Sequence, residues 1–317
     1  MKKIIFIFST LAIVSCSSIT TTLLKTTNFI YRGEKEAFLK IGRTGAYYEL
    51  PWKHKSDITH ETILYNGNVK LELIKKTEKK NDSVIYYAHG GAFIYPLSNI
   101  YRNLAEFMLN INDNYDIIFV DYRQLPYSFY PSGHDDYDNG LEYAFENYKN
   151  VYTFGDSAGG NLIVSTLLKR RDEKRRLPDA VVLLSPFLDI SNTLESRKTN
   201  VKTDLLIGSS VENYDLSKLL KDNEYFKYEK DKKHPYISPV FGDFNGFPPT
   251  YIEVNNGELL YDDSKIVKEK LDSENIENKF VTVDGLYHVY HLLRSSEATT
   301  SIKSIFDFLD EKRLGGK

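Results

Sequence analysis

The sequence predicts an α/β fold: a mostly parallel central sheet flanked by helices, with a helical cap. Three observations predict it. Short continuous apolar runs such as "SVIYYA", "YDIIFV" and "AVVLL" recur along the chain, as expected of strands covered on both faces. Segments of helical character separate them, the alternation that builds a parallel sheet. One polar stretch, residues 188–235, breaks the rhythm. An insertion of that length between strands is more often a lid or cap than a slack loop.

The bulk numbers set limits. A chain of 317 residues buries a sizeable core as one large domain, and 41% hydrophobic with 27% charged residues is an ordinary globular balance. Lys and Arg total 41 against 44 Asp and Glu, a net charge of −3. That balance gives no electrostatic reason to expect nucleic acid as a partner. Cys16 is the single cysteine, so no intrachain disulfide forms.

Taken in order, residues 1–16 read as a signal peptide. Lys2 and Lys3 precede an apolar run from Ile4 to Val14 that is short for a membrane span. "IVSC" resembles a bacterial lipobox, with Cys16 as the lipidated residue. The expectation is an extracytoplasmic lipoprotein held at a membrane by its N-terminal anchor. Residues 17–60 are assigned as an N-terminal cap segment, and residues 61–317 as the α/β domain with the cap insertion at about 188–235. "ETILYNGNVKLELIKK" reads as two strands about Asn66-Gly67, a strong hairpin signal. The strand "SVIYYA" follows, then a helix over 98–110, the strand "YDIIFVDY" and a helix over 134–148. "VYTF" and a helix from Gly160 to Arg171 come next, then "AVVLLSP". After the insertion come the strand "PTYIEV", a helix near 262–273, the strand "KFVTV" and a terminal helix from about 290 to 312.

Between "VYTF" and its helix lies "GDSAGG", a G-x-S-x-G pattern in the strand–turn–helix setting that a nucleophile elbow requires. Such a turn forces the serine into an unfavourable backbone conformation, and small residues two positions away let strand and helix pass closely. Ser157 is the candidate nucleophile. A serine hydroxyl needs a base, and in elbow hydrolases the chain order is serine, acid, histidine. Three histidines follow Ser157. His234 sits in the cap junction, His291 lies one helical turn beyond His288, and His288 ends the loop after "KFVTV". Active sites of parallel sheets gather at that strand edge, so His288 is the candidate base. The acid belongs to the loop after "PTYIEV", where "NNGELLYDDS" offers Glu258, Asp262 and Asp263. Asp262 and Asp263 fall where a helix starts, for which capping is sufficient reason. Glu258 is preferred, with Asp262 as the alternative. "AHGGAF" after the third strand exposes backbone amides at Gly90 and Gly91. With the amide of Ala158 they form a candidate oxyanion hole.

These motifs resemble the hormone-sensitive-lipase family of α/β-hydrolase esterases. "HGGAF" looks like that family's HGGG oxyanion motif and "GDSAGGNL" like its elbow. "DYRQLPYSFYPSGHDD", "ISPVFGDFNGFPPTYIEVNNGELLYDDS" and "GLYHVY" are similar to three further segments, and the likeness spans roughly 83–312. Ala92 stands where the family has a third glycine. The resemblance implies a catalytic triad of Ser157, His288 and Glu258, an oxyanion hole from Gly90, Gly91 and Ala158, and a small-molecule ester as substrate. No metal or other cofactor is expected. A carbohydrate or envelope deacetylase would use the same residues, and a surface binding module that kept the fold without the chemistry is the non-enzymatic alternative.

Overall fold

The computed structural model describes residues 49–208 and 223–315. The predicted signal peptide with Cys16, residues 17–48 of the N-terminal segment and residues 209–222 of the insertion lie outside them.

An eight-stranded sheet runs in the order β1-β2-β4-β3-β5-β6-β7-β8. β1 (Ile58–Tyr65) and β2 (Val69–Lys76) form the expected hairpin. Its turn places Asn66 and Gly67 at φ 50° and 77°, left-handed values that Asn and Gly adopt with little penalty. β1 begins at Ile58, so three residues of the N-terminal segment 17–60 belong to the sheet. β2 pairs antiparallel with β4 (Asp116–Val120), and every later pairing is parallel.

Most of the parallel strands are buried along their length because both faces are covered. In β3 (Ser83–Ala88), Val84, Tyr86 and Ala88 join one core, while Ile85 and Tyr87 join the other. The first core is closed by α2 (Ser132–Asn147), α3 (Ala158–Asp172) and α5 (Tyr261–Ser273). The second lies under α1 (Asn99–Ile111) and α6 (Ser296–Gly315). α1 shows why: its buried residues Tyr101, Leu104, Ala105, Met108 and Leu109 recur at helical spacing along one stripe.

Strand order reverses beside β3, which lies between β4 and β5 (Asn150–Asp156). The reversal brings the loop after β3 against the end of β5, with Ala88 opposite Gly155. Crevices at such switch points are where open α/β sheets bind ligands. β6 (Ala180–Leu184), β7 (Thr250–Asn255) and β8 (Asn278–Val283) deliver their loops to the same edge.

Two boundaries differ from the sequence reading. α3 starts at Ala158, two residues before Gly160, because the turn at Ser157 is so tight. The terminal helix starts at Ser296, where about 290 was expected. Residues Tyr290–Leu293 form a 3₁₀ turn between left-handed Val289 and Arg294 instead. Buried carboxylate chemistry draws that turn inward: Tyr290 and His291 both bond Glu253 on β7. In the described part of the insertion, α4 (Ser196–Thr199) and a 3₁₀ turn at Glu224–Phe226 are the helical elements.

Candidate active site

Ser157 has φ 50° and ψ −118°, outside the usual regions for an L-residue. Its amide donates to Leu184 at the end of β6 (3.0 Å) and its carbonyl accepts from Phe187 (2.9 Å), so both sides of the bend are held. Gly159 is sterically required and Gly155 tightly enclosed. A Cβ on Gly159 would lie 1.9 Å from the Ala88 carbonyl oxygen, and one on Gly155 would lie 2.5 Å from Ile163 Cδ1. The side chain of Ser157 remains partly accessible while its neighbours are buried. The N-terminus of α3 directly behind it favours developing negative charge.

The acid loop follows β7. Glu258 is 2% exposed, and its two oxygens have separate partners. Oε2 lies 2.7 Å from His288 Nδ1. Oε1 accepts from Ser185 Oγ (2.8 Å) and the Asn255 amide (3.1 Å). Asp262 points elsewhere: its Oδ2 accepts the Ser196 amide (2.7 Å). Asp263 takes the amides of Leu188 and Asp189 and pairs with Arg197. Of the three carboxylates considered, Glu258 is the one that reaches the histidine. Elbow and acid meet at the end of β6, where Leu184 receives the Ser157 amide and Ser185 supports Glu258.

His288 is 6% exposed. Burial alone would lower its pKa, but the charge and hydrogen bond of Glu258, helped by Asp204 and Asp156, raise it above the ordinary imidazole value. A carboxylate at Nδ1 holds the proton there and leaves Nε2 as the basic nitrogen. The other histidines are placed differently. His291 is buried with Glu253 and Ser301. His234 sits on the surface near Tyr236. His89, first residue of "HGGA", stacks on Tyr122 with its Nδ1 near the Gly90 carbonyl (2.7 Å), and burial lowers its pKa to about 4.

The loop after β3 corrects one expectation. The amide of Gly90 is not free to meet a substrate oxygen: it donates to Tyr101 Oη (2.9 Å) and Asp156 Oδ1 (3.1 Å). Asp156 is itself fixed by the hydroxyls of Tyr87 and Tyr101 (3.0 and 2.9 Å). The next residues, Gly91, Ala92 and Phe93, all have positive φ (112°, 56° and 60°). Among the described residues the amides of Gly91 and Ala92 meet no acceptor. The amide of Ala158 is the first of α3, where a helix leaves its N–H groups unpaired. The unengaged donors are therefore Gly91, Ala92 and Ala158, and Gly90 anchors the loop. Sequence reading missed Asp156, Tyr101 and Ser185. Asp156 stands inside the elbow motif and Ser185 in "LLSP", yet neither pattern reveals what the side chain touches.

Comparison with known proteins agrees with the fold. A family model described as an alpha/beta hydrolase fold matches residues 85–292. A protein named esterase from Acinetobacter venetianus is 28% identical over 74% of this chain and 76% of its own. A protein named acetyl-hydrolase from Streptomyces hygroscopicus is 27% identical over 71% of this chain and 73% of its own. The crystal structure of an esterase from the bacterial hormone-sensitive lipase family shares the fold, with a TM-score of 0.74 over 88% of this chain and 98% of that one at 23% identity.

Proposed function

The chain belongs to the alpha/beta hydrolase fold family, and we propose that it is a serine carboxylic-ester hydrolase acting on short- to medium-chain acyl esters. The carboxylesterase-type assignment draws on relatives named esterase and acetyl-hydrolase. One observation carries the catalytic reading: the buried His288–Glu258 pair at 2.7 Å, on the same sheet edge as a left-handed serine at a helix N-terminus.

In the proposed reaction His288 takes the Ser157 proton as Oγ attacks the ester carbonyl. Glu258 stabilises the imidazolium so formed. The amides of Gly91, Ala92 and Ala158 hold the tetrahedral oxyanion, usually the largest electrostatic contribution in acyl transfer. Collapse expels the alcohol, which takes the proton back from His288. Water then hydrolyses the acyl-enzyme by the same steps. Turnover of nitrophenyl acetate and butyrate by the purified protein tests this. Ser157→Ala is expected to lower kcat by about 10³-fold or more, and unchanged turnover rejects the assignment.

Two relatives named acetyl-hydrolase favour acetyl as the acyl group, which keeps deacetylation of a carbohydrate or envelope component as a second reading. A panel of acetylated glycans assayed against simple esters separates the two. The signal-like N-terminus and Cys16 support an enzyme anchored outside the cytoplasm by lipid. Metabolic labelling with a fatty-acid probe, lost in Cys16→Ala, is the expected outcome.

A further inference from the structure

The loop that carries Glu258 is held by a distant part of the chain, the start of the insertion after β6. Asn200 Nδ2 donates to the carbonyls of Asn256 (3.0 Å) and Glu258 (2.8 Å), and Thr203 Oγ1 donates to that of Gly257 (2.9 Å). Ser196 Oγ (2.7 Å) and the Arg197 guanidinium both donate to the Leu259 carbonyl. Every carbonyl from 256 to 259 thus has a partner in residues 196–203. The contact in the opposite sense comes from Asp204, whose Oδ2 accepts the Leu259 amide (2.8 Å).

Asp204 is 1% exposed, although it belongs to an otherwise polar connecting segment. Its Oδ1 accepts the amides of Leu206 and Ile207 (3.0 and 2.8 Å). Three N–H donors converge on one carboxylate, an arrangement that favours the anion. An isosteric amide would not serve. With its oxygen on Leu206 and Ile207, its NH₂ would face the Leu259 N–H, donor against donor.

We propose that Asp204 is a positioning residue for the triad acid, holding the Glu258 loop from the insertion side through Leu259 and setting a second negative charge behind the Glu258–His288 pair. The inference rests on the esterase reading above, since it assumes that Glu258 serves His288. Glu258 from the acid loop bonds His288 directly, and the charges of Asp204 from the insertion and Asp156 from the end of β5 add to its effect in raising the His288 pKa. Burial pushes the pKa of Asp204 itself up first, the Glu258 charge adds to that, and His288 with the Leu259 and Ile207 amides opposes it. The arrangement ties the insertion directly to the geometry of the charge relay.

Kinetics across pH on the full chain, with active sites titrated by a fluorophosphonate, test the proposal. Asp204→Asn is expected to lower kcat per labelled site by about tenfold or more, with KM within about twofold, since a displaced catalytic group costs rate more than binding. Its acid limb of kcat/KM moves to lower pH, because a negative charge that raised His288 is gone. Asn200→Ala, which frees two carbonyls without altering charge, lowers kcat less and moves the limb less. The proposal is overturned if both variants keep wild-type kcat per labelled site and the wild-type acid limb, even where Tm has dropped. If Asp204→Asn fails to fold, Asn200→Ala decides by the same criteria. Glu258→Ala run alongside distinguishes the failures: full activity there removes the triad reading itself, whereas an inactive Glu258→Ala with unaffected Asp204→Asn and Asn200→Ala removes this inference alone.

Discussion

At position 258 the chain carries a glutamate whose two oxygens do different work, one on His288 and the other on Ser185 and the Asn255 amide. The second set fixes the carboxylate plane, so that the first can be short. Glu258→Ala is therefore expected to lower kcat by about 10²–10⁴-fold. Asp262→Ala, which loses only the Ser196 amide contact and a place at a helix start, is expected to stay within about threefold of wild type in the same ester assay. In the proposed reaction His288 must be neutral to act as base, and its pKa is raised above the ordinary 6.5. The acid limb of the kcat/KM profile should accordingly lie above pH 6.5. Sequence spacing placed Ser157, His288 and Glu258 at one sheet edge but left Asp262 open, because spacing does not show where a loop turns its side chains. It also misassigned Gly90. The groups that occupy that amide come from Tyr101 and Asp156, 11 and 66 positions away, and no local pattern announces them.

The elbow depends on one close backbone contact. α3 begins against the end of β3 so closely that Gly159 has no room for a methyl group, its nearest obstacle being the backbone carbonyl of Ala88. A backbone atom cannot swing aside as a flexible side chain can. Gly159→Ala is expected to destabilise the fold by about 1–3 kcal/mol or more and to reduce ester turnover, both read by denaturant melts and assay of the same preparation. Wild-type stability would mean that α3 shifts freely against β3. Strands and long helices were legible from their periodicity, since β3 and α1 follow the simple alternations of a covered strand and an amphipathic helix. The start of α6 was not. Tyr290 and His291 are ordinary helix residues locally, and a buried Glu253 from another strand holds them in a 3₁₀ turn.

For the whole molecule, buried ionisable groups set the response to acid. Burial lowers His89 and His134 to about 4. Their folded values lie below the unfolded value, so the unfolded chain binds protons first. Stability is complete above about 6.5 and is lost as pH falls toward about 4. Each site contributes a slope of up to about 1.4 kcal/mol per pH unit in that window. Glu72 and Glu253, held at about 2 against their burial by Arg102 and His291 respectively, add a second loss between about 4.5 and about 2. The raised values of His288, Asp156, Asp204 and Asp263 act in the opposite sense, adding stability as pH falls, so the histidines are read individually. NMR titration of His89 and His134 should give values well below the ordinary 6.5, and an ordinary value would contradict their burial. The overall architecture was readable because it follows from continuous apolar runs in a β/α rhythm. The link between insertion and acid loop was not, because hydrogen bonds from Asn200 and Asp204 reach 55 or more positions along the chain. In the proposed function the whole fold serves to activate one serine, Ser157. Intact-mass and peptide mass spectrometry after equimolar fluorophosphonate treatment test it most directly. A single adduct per chain is expected, on Ser157, with ester turnover lost in proportion to labelling; an adduct on another residue, or full turnover in the labelled chain, would overturn the assignment.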